Sequence, residues 1–508
     1  MIKFTRLLFV FTTVVILLLT SCLKSTKPGI PESVRRTMEA SGINQPELMR
    51  AMVRYSKPAD SLKQKALYWL LANMHGNYSV SYRVEDTTGH KYIFSPQRYS
   101  DYARLKISWD SVERLVGPLS YHADSFLLDQ QHITAAFLTG TIDTAFLAYR
   151  TFSWSRNYSF DLFCRWILPY RCANEKMEPF RSHFLKKYQP FLVKSDSLSV
   201  LEAALILNEL VNTELGYKDS YNKEANVQSI QELEKNGYGN FYDLNIYKVK
   251  VLRSFGIAAT MDYTPYLADT SYGYAWTTVI LPDRSEFMLE FPQKVYNLQK
   301  PGRIAKVFRR TYEKDTTSLF AVKQTDQTTP PYLGHFYNSD ITNPLNSKTV
   351  WMPYFRKTPY AYLAVFNDGN WHPVGWSAPK EALGTVFHQM GTDVVYLPVK
   401  QEKKKLYWLG PPFLLANDGS IRKFSPDFSR EQKTMLTKTG PYQNLIPGVS
   451  YTLYLWNGNW SSLFSFTAKK SGVTVPLPTG GLYLLTNDDP LMRERIFSLS
   501  PQGHQIFH

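Results

Sequence analysis

The chain has 508 residues, 44% hydrophobic and 20% charged, enough to bury several cores, which excludes disorder and fibrous structure. Tyr 34, Phe 30 and Trp 11 bring aromatics to 15%, a bias toward β-rich architecture and stacking surfaces. The net charge of +15 is dispersed, and three cysteines exclude a disulfide scaffold and a Cys-rich metal site.

Lys3 and Arg6 precede an apolar run from Leu7 to Leu19, and Leu19-Thr20-Ser21-Cys22 then sets small residues before a cysteine. This is the pattern of a secretory signal. Its end resembles the lipobox of bacterial lipoproteins, which implies removal of residues 1–21 and lipid attachment to the Cys22 thiol. The alternative is an uncleaved anchor, which needs ~20 apolar residues where this run has about 13. The expected partner is therefore a membrane, reached through lipid on Cys22, and the expected location is the cell envelope at the outer membrane. Lys24 and Lys27 stand where some relatives carry an acidic export stretch, which favours the periplasmic face over the cell surface. Lys403-Lys404-Lys405, the one tight basic run, reads as a solvated loop, and nucleic acid is not an expected partner.

Residues 24–31 read as a tether. Asp60-Ser61 can cap a helix carrying Leu62, Ala66, Trp69 and Leu70 at helical spacing and ending near Gly76. Segment 78–94 is more extended, 133–149 is helix-compatible, and Ser159-Phe160-Asp161 starts a helix limited by Pro169. Segment 197–214 is strongly amphipathic, with Val200, Ala204, Leu207 and Val211 on one face. From about 345 the pattern turns to β. Residues 362–366 meet Asn367-Asp368-Gly369 and run on to Trp376, and residues 451–456 meet Asn457-Gly458 and Asn459-Trp460. Gly-Asn-Trp at 369–371 and 458–460 marks a diverged repeat. A second echo, 413–418 against 483–488, has a different offset, as if one copy had lost or gained a strand.

Residues 237–291 are the most specific stretch. Gly237-Tyr238-Gly239-Asn240-Phe241-Tyr242-Asp243 leads into a helix with Leu244, Tyr247, Val251 and Phe255 on one face, closed by Gly256. Residues 257–263 read as a strand, Gly273-Tyr274-Ala275-Trp276 opens a second, and 286–291 can form a third.

This order resembles the transglutaminase-like branch of the papain-type thiol fold. There a Gly-x-Cys-x-Asp turn begins a helix ending in Arg-Ala/Ser-x-Gly-Ile, Gly-His-x-Trp opens a strand, and an acidic residue follows on the next. A helix N-terminus stabilises a thiolate, the imidazole takes the proton, and the acid orients the ring. Trp166-Ile167-Leu168-Pro169-Tyr170-Arg171 with Glu175 and Arg181, the start at Asn44-Gln45-Pro46-Glu47-Leu48 and the Gly-Asn-Trp modules also resemble a group of secreted Gram-negative lipoproteins. The resemblance covers most of residues 35–500.

The departures fall on the chemistry. Phe241 stands at the family's cysteine and Tyr274 at its histidine, while Glu290 falls near the acidic position and Asp243 matches the aspartate after the nucleophile. A phenyl ring cannot attack an acyl carbon, and a phenol with a reference pKa near ~10 is a poor base at neutral pH. Asp243 reads first as a helix-capping residue. Cys164 and Cys172 are the possible replacement nucleophiles; their sequence setting reads better as buried and inert, or as a mutual disulfide. His75, His132, His183, His335 and His388 lack spaced partners for a metal motif, and neither metal nor cofactor is expected. Trp371, Trp376, Trp456 and Trp460 either fill small β cores or stack on sugar rings.

The expected fold is α+β. A signal peptide (1–21) and a mainly helical region (22–190) precede a papain-like transglutaminase core (191–330), and two sandwich-like all-β modules (345–435 and 436–508) follow. The expected function is a catalytically inactive, lipid-anchored binding or scaffolding protein for an envelope protein or glycan. The alternative is an active thiol acyl-transferase or peptidase with a displaced nucleophile.

Overall fold

The computed structural model describes residues 29–192, 197–270, 272–289, 303–323, 328–343, 346–355, 358–380, 384–403, 405–441, 443–487 and 495–508. Residues 1–28, with the signal pattern and Cys22, and Glu290 lie outside the described residues. Among the described residues no helix is long and apolar enough to cross a membrane.

Helices Glu32–Ala40, Gln45–Arg54, Ser61–Met74 and Ala135–Thr151 bury their apolar faces against one another through Val34, Leu48, Leu67, Leu71 and Ile142. The helix from Ser61 follows Asp60, but the Asp60 side chain makes no capping bond. The region expected to be mainly helical also holds an antiparallel sheet ordered Lys91–Tyr92, Tyr78–Glu85, Ser120–Leu128. Its last strand is exposed at most positions on both faces, so no alternating apolar pattern announces it.

The helix Phe241–Ser254 is the centre of the next unit and is buried from Asp243 to Ser254. It packs on helices Phe180–Tyr188 and Val200–Glu214 and on strands Ala259–Thr264 and Tyr274–Ile280. Burial all round this helix encloses Lys250 and Arg253. Arg253 is satisfied by the carbonyls of Trp166, Ala259, Pro169 and Arg171, and Lys250 by Glu178 and Glu175. The helix stops at Gly256, whose φ of 67° permits the reversal in which Ile257 N–H bonds the Leu252 carbonyl. An antiparallel sheet follows, ordered Asn338–Asp340, Phe308–Arg310, Ala259–Thr264, Tyr274–Ile280, Glu286–Leu289.

The two C-terminal modules are antiparallel. In the first, Asn370–Ser377, Ala361–Asn367, Val394–Glu402, Phe413–Leu415 and Ile421–Lys423 lie side by side. In the second the order is Trp460–Thr467, Ser450–Trp456, Tyr483–Thr486, Ile496–Leu499, Gln505–Phe507. Each has its own core, around Leu363, Phe387 and Tyr396 in the first and Leu453, Tyr483 and Phe497 in the second. The second begins earlier than position 436, because strand Asp427–Leu436 pairs with Val473–Thr479.

Both Gly-Asn-Trp hairpins break register at matching places, between Leu363 and Ala364 and between Leu453 and Tyr454. Val374 and Leu463, each three residues after the hairpin tryptophan, are the bulged residues opposite. A shared bulge is strong evidence of a repeat. The second sequence echo, by contrast, does not join equivalent strands. Phe413–Leu415 is fourth in its sheet and Tyr483–Thr486 third, so the structural counterpart of Tyr483–Thr486 is Val394–Glu402.

Candidate functional site

Helix Phe241–Ser254 opens with a capping box: the Asn240 side chain accepts from Asp243 N–H, and the Asp243 carboxylate accepts from Asn240 N–H. Asp243 also accepts from the Gln228 backbone N–H at 2.9 Å and its side-chain amide at 3.0 Å. It is only 2% exposed, and burial pushes its carboxyl up to about 6. Asp243 is thus spent on the helix start.

Gly273 lets the chain turn from the loop at 265–273 into the next strand, since a Cβ there would meet the backbone oxygens of Thr264 and Pro265. Tyr274 then begins strand Tyr274–Ile280, paired opposite Thr264. The helix start and this strand start are brought together. The Phe241 and Tyr274 rings lie edge-to-face, 5.2 Å between centroids at 70°. Tyr217 also stacks on Phe241 at 4.2 Å and 20°, and Trp276 stacks on Tyr274 at 5.9 Å. Four rings thus meet where the helix start approaches the strand start.

Asn245 ties this arrangement together. Its amide donates to the Phe241 carbonyl at 2.7 Å and the Ala275 carbonyl at 3.0 Å, and its oxygen accepts from Thr277 at 2.8 Å. An asparagine one turn into a helix has no sequence signature, so its role emerges only once helix and strand are placed.

The aromatic cluster opens into a cleft of about 950 Å³. Its walls come from the helix start, the Tyr78–Glu85 sheet, segments 217–227, 264–266 and 272–275, strand Phe308–Arg310, segment 331–337 and the turn at 367–372 of the first β module. Tyrosine is the commonest residue in this lining. Burial raises the Tyr263 and Tyr332 phenols, which keep their protons at neutral pH. The walls are tied by side chains. Asn226 accepts from Tyr82 N–H at 2.7 Å and donates to the Tyr82 carbonyl at 3.0 Å, where strand Tyr78–Glu85 breaks register. Asn367 of the first β module donates to the carbonyls of Leu267 and Thr270 at 2.8 Å, and Arg495 of the second donates to Thr270 at 2.7 Å.

Cys172 also lines the cleft. It and Cys164 are free and buried rather than disulfide-bonded, and burial pushes both thiols up to about 12. At neutral pH neither supplies thiolate. Burial and the Arg310 charge push His335 down to about 4, and burial lowers His372. Their recorded partners are the Tyr78 hydroxyl and the Asn367 carbonyl, not a thiol. Among the described residues no group of three His, Cys, Asp or Glu side chains is arranged to hold a metal ion.

Trp371 and Trp456 are buried, but in the large shared core rather than in the separate core of either β module, and Trp460 packs against that core. Trp371 and Trp456 meet across the two modules at 5.5 Å, Trp460 packs on Phe366 at 5.7 Å, and Trp456 on Trp460 at 5.0 Å. They join the repeats. Trp376 lines a separate pocket of about 500 Å³ with Lys306 and His388.

No family model and no curated protein matches this sequence. Among solved structures the chain aligns with red sea bream transglutaminase at 10% identity, covering 86% of this chain and 77% of that one. The TM-score is 0.20, a likeness that carries no argument about fold or function.

Proposed function

We propose that this chain is a transglutaminase-like protein that has lost its thiol chemistry and uses its cleft to bind a ligand at the cell envelope, held there by lipid on Cys22. The observation that carries the reading is the Phe241–Tyr274 pair: an apolar ring contact at the junction of helix start and strand start, opening into a cleft of ligand size. The motif order around residues 237–276 supports the family reading. The raised thiols of Cys164 and Cys172 speak against a displaced nucleophile. Cys22 at the end of the signal pattern supports the anchor.

Two measurements test this. Purified protein incubated with a glutamine-donor peptide and a fluorescent amine is expected to form no amide above a heat-killed control. Turnover that disappears in Cys172→Ala would overturn the loss of chemistry. In membrane fractions, the mature protein is expected to require detergent for release, and Cys22→Ala to yield soluble or unprocessed protein. A Cys22→Ala protein that stays membrane-bound at mature size would overturn the anchor.

A further inference from the structure

Adjacent arginines on strand Phe308–Arg310 have opposite fates. Arg309 is doubly neutralised: Asp262 accepts from it at 2.8 and 2.7 Å, and Glu286 binds the same guanidinium. Arg310 lines the cleft, and its partners among the described residues are neutral. It donates to Asn338 Oδ1 at 2.7 Å and the Tyr242 hydroxyl at 2.8 Å, and lies over the Tyr242 and Tyr263 rings at 5.8 and 5.2 Å. Two of a guanidinium's five N–H groups are thereby used, and among the described residues the Arg310 Nε and the nearby Tyr263 hydroxyl have no hydrogen-bond partner. Among the described residues no carboxylate forms an ion pair with Arg310. His335 beside it is neutral at pH 7, as its lowered pKa requires. A permanently charged guanidinium held in a cleft wall without a counter-ion is costly unless a ligand supplies one.

The geometry points to an acidic saccharide as the occupant of this cleft, its carboxylate on Arg310 and its sugar rings on the tyrosine faces. This rests on the binding role proposed above and names its ligand class. Guanidinium matches carboxylate as a fork of parallel donors. A pyranose ring has an apolar C–H face and a hydroxyl rim, and the cleft offers phenol rings with polar neighbours to match. Tyr217, for example, carries its hydroxyl against Asn222 at 2.7 Å. An extended peptide fits less well, because it binds by adding to a strand edge. On the wall strand Tyr78–Glu85 one edge is paired to Ser120–Leu128. On the other, Asn226 holds Tyr82, and Val80 N–H bonds the Asn174 carbonyl at 3.4 Å.

The test is calorimetric titration of the full chain with trigalacturonic acid, with its neutral counterpart galactotriose, and with a tri-glutamate peptide. The expected result is that trigalacturonate binds at least about tenfold more tightly than galactotriose, the discrimination a charge-assisted hydrogen bond gives. Arg310→Gln is expected to erase that difference, so that the variant binds trigalacturonate no more tightly than it binds galactotriose. The wild-type comparison of acidic and neutral sugar holds even if Arg310→Gln does not fold. Equal binding of both sugars, or preferential binding of the peptide, overturns the acidic-sugar inference and leaves the binding role standing. If none of the three binds, the acidic-sugar inference fails. The binding role itself fails only if a wider screen of glycans and peptides also finds no ligand sensitive to Tyr217→Ala.

Discussion

Truncating Phe241 probes the packing where the helix start meets the strand start. Its ring contacts Tyr217 at 4.2 Å and Tyr274 at 5.2 Å and is only partly buried. Full burial would put Phe→Ala at about 3–5 kcal/mol, and partial burial brings the expected loss to about 2–3 kcal/mol. Of this, about 0.5–1.5 kcal/mol belongs to the edge-to-face contact with Tyr274 and is recoverable as the coupling in a Phe241→Ala/Tyr274→Ala double-mutant cycle. A chain with several cores need not unfold in one step, so the assay is native-state hydrogen exchange of the amides in helix Phe241–Ser254, which reports opening of this unit. A coupling within the ~0.3 kcal/mol of simple additivity would refute the claim that these two rings are neighbours.

Asp243 makes stability pH-dependent. Its carboxyl titrates at about 6 in the folded chain against 3.8 unfolded, so the folded state holds the extra proton and stability falls as pH rises through that window. Relative to Asp243→Asn, the wild type is expected to lose about 2 kcal/mol between pH 4 and pH 7, measured by urea denaturation of both; a constant difference would contradict the assignment. The β modules hold the cleft loop, so Asn367→Ala is expected to speed proteolytic cleavage at 265–273 severalfold, and unchanged cleavage would show that the loop holds itself. Native Cys164 and Cys172 are expected to resist iodoacetamide at pH 7.5 and to react on denaturation; prompt native labelling would contradict their raised pKa values.

What the sequence made legible is what local chemistry dictates. Asn240 and Asp243 at a helix start, Gly256 at its end and Gly273 before a strand are backbone requirements that only a few residue types meet. The hairpins were readable for the same reason, through Asp368-Gly369 with φ of 46° and 75°. Long-range pairing was not readable. The tether at Asn245, the meeting of Trp371 with Trp456, the placing of Cys172 in the cleft and the uncompensated charge of Arg310 each depend on segments distant in sequence. The strand Ser120–Leu128 was hidden because it buries little on either face. The repeat was half legible: the tryptophan hairpins align, whereas the second echo misled because similar apolar strands recur at different places in the two sheets.

The central claim is that Phe241 and Tyr274 occupy a former thiol–imidazole site. It is tested by restoring both groups and following iodoacetamide alkylation against pH, with the wild type alongside to subtract Cys164 and Cys172. Phe241→Cys alone places a thiol at a helix start and is expected to titrate modestly below the unperturbed ~8.5. Adding Tyr274→His sets an imidazole at the position whose ring now lies 5.2 Å away, and is expected to lower the thiol further. Identical profiles near ~8.5 for the single and double variants would contradict the account.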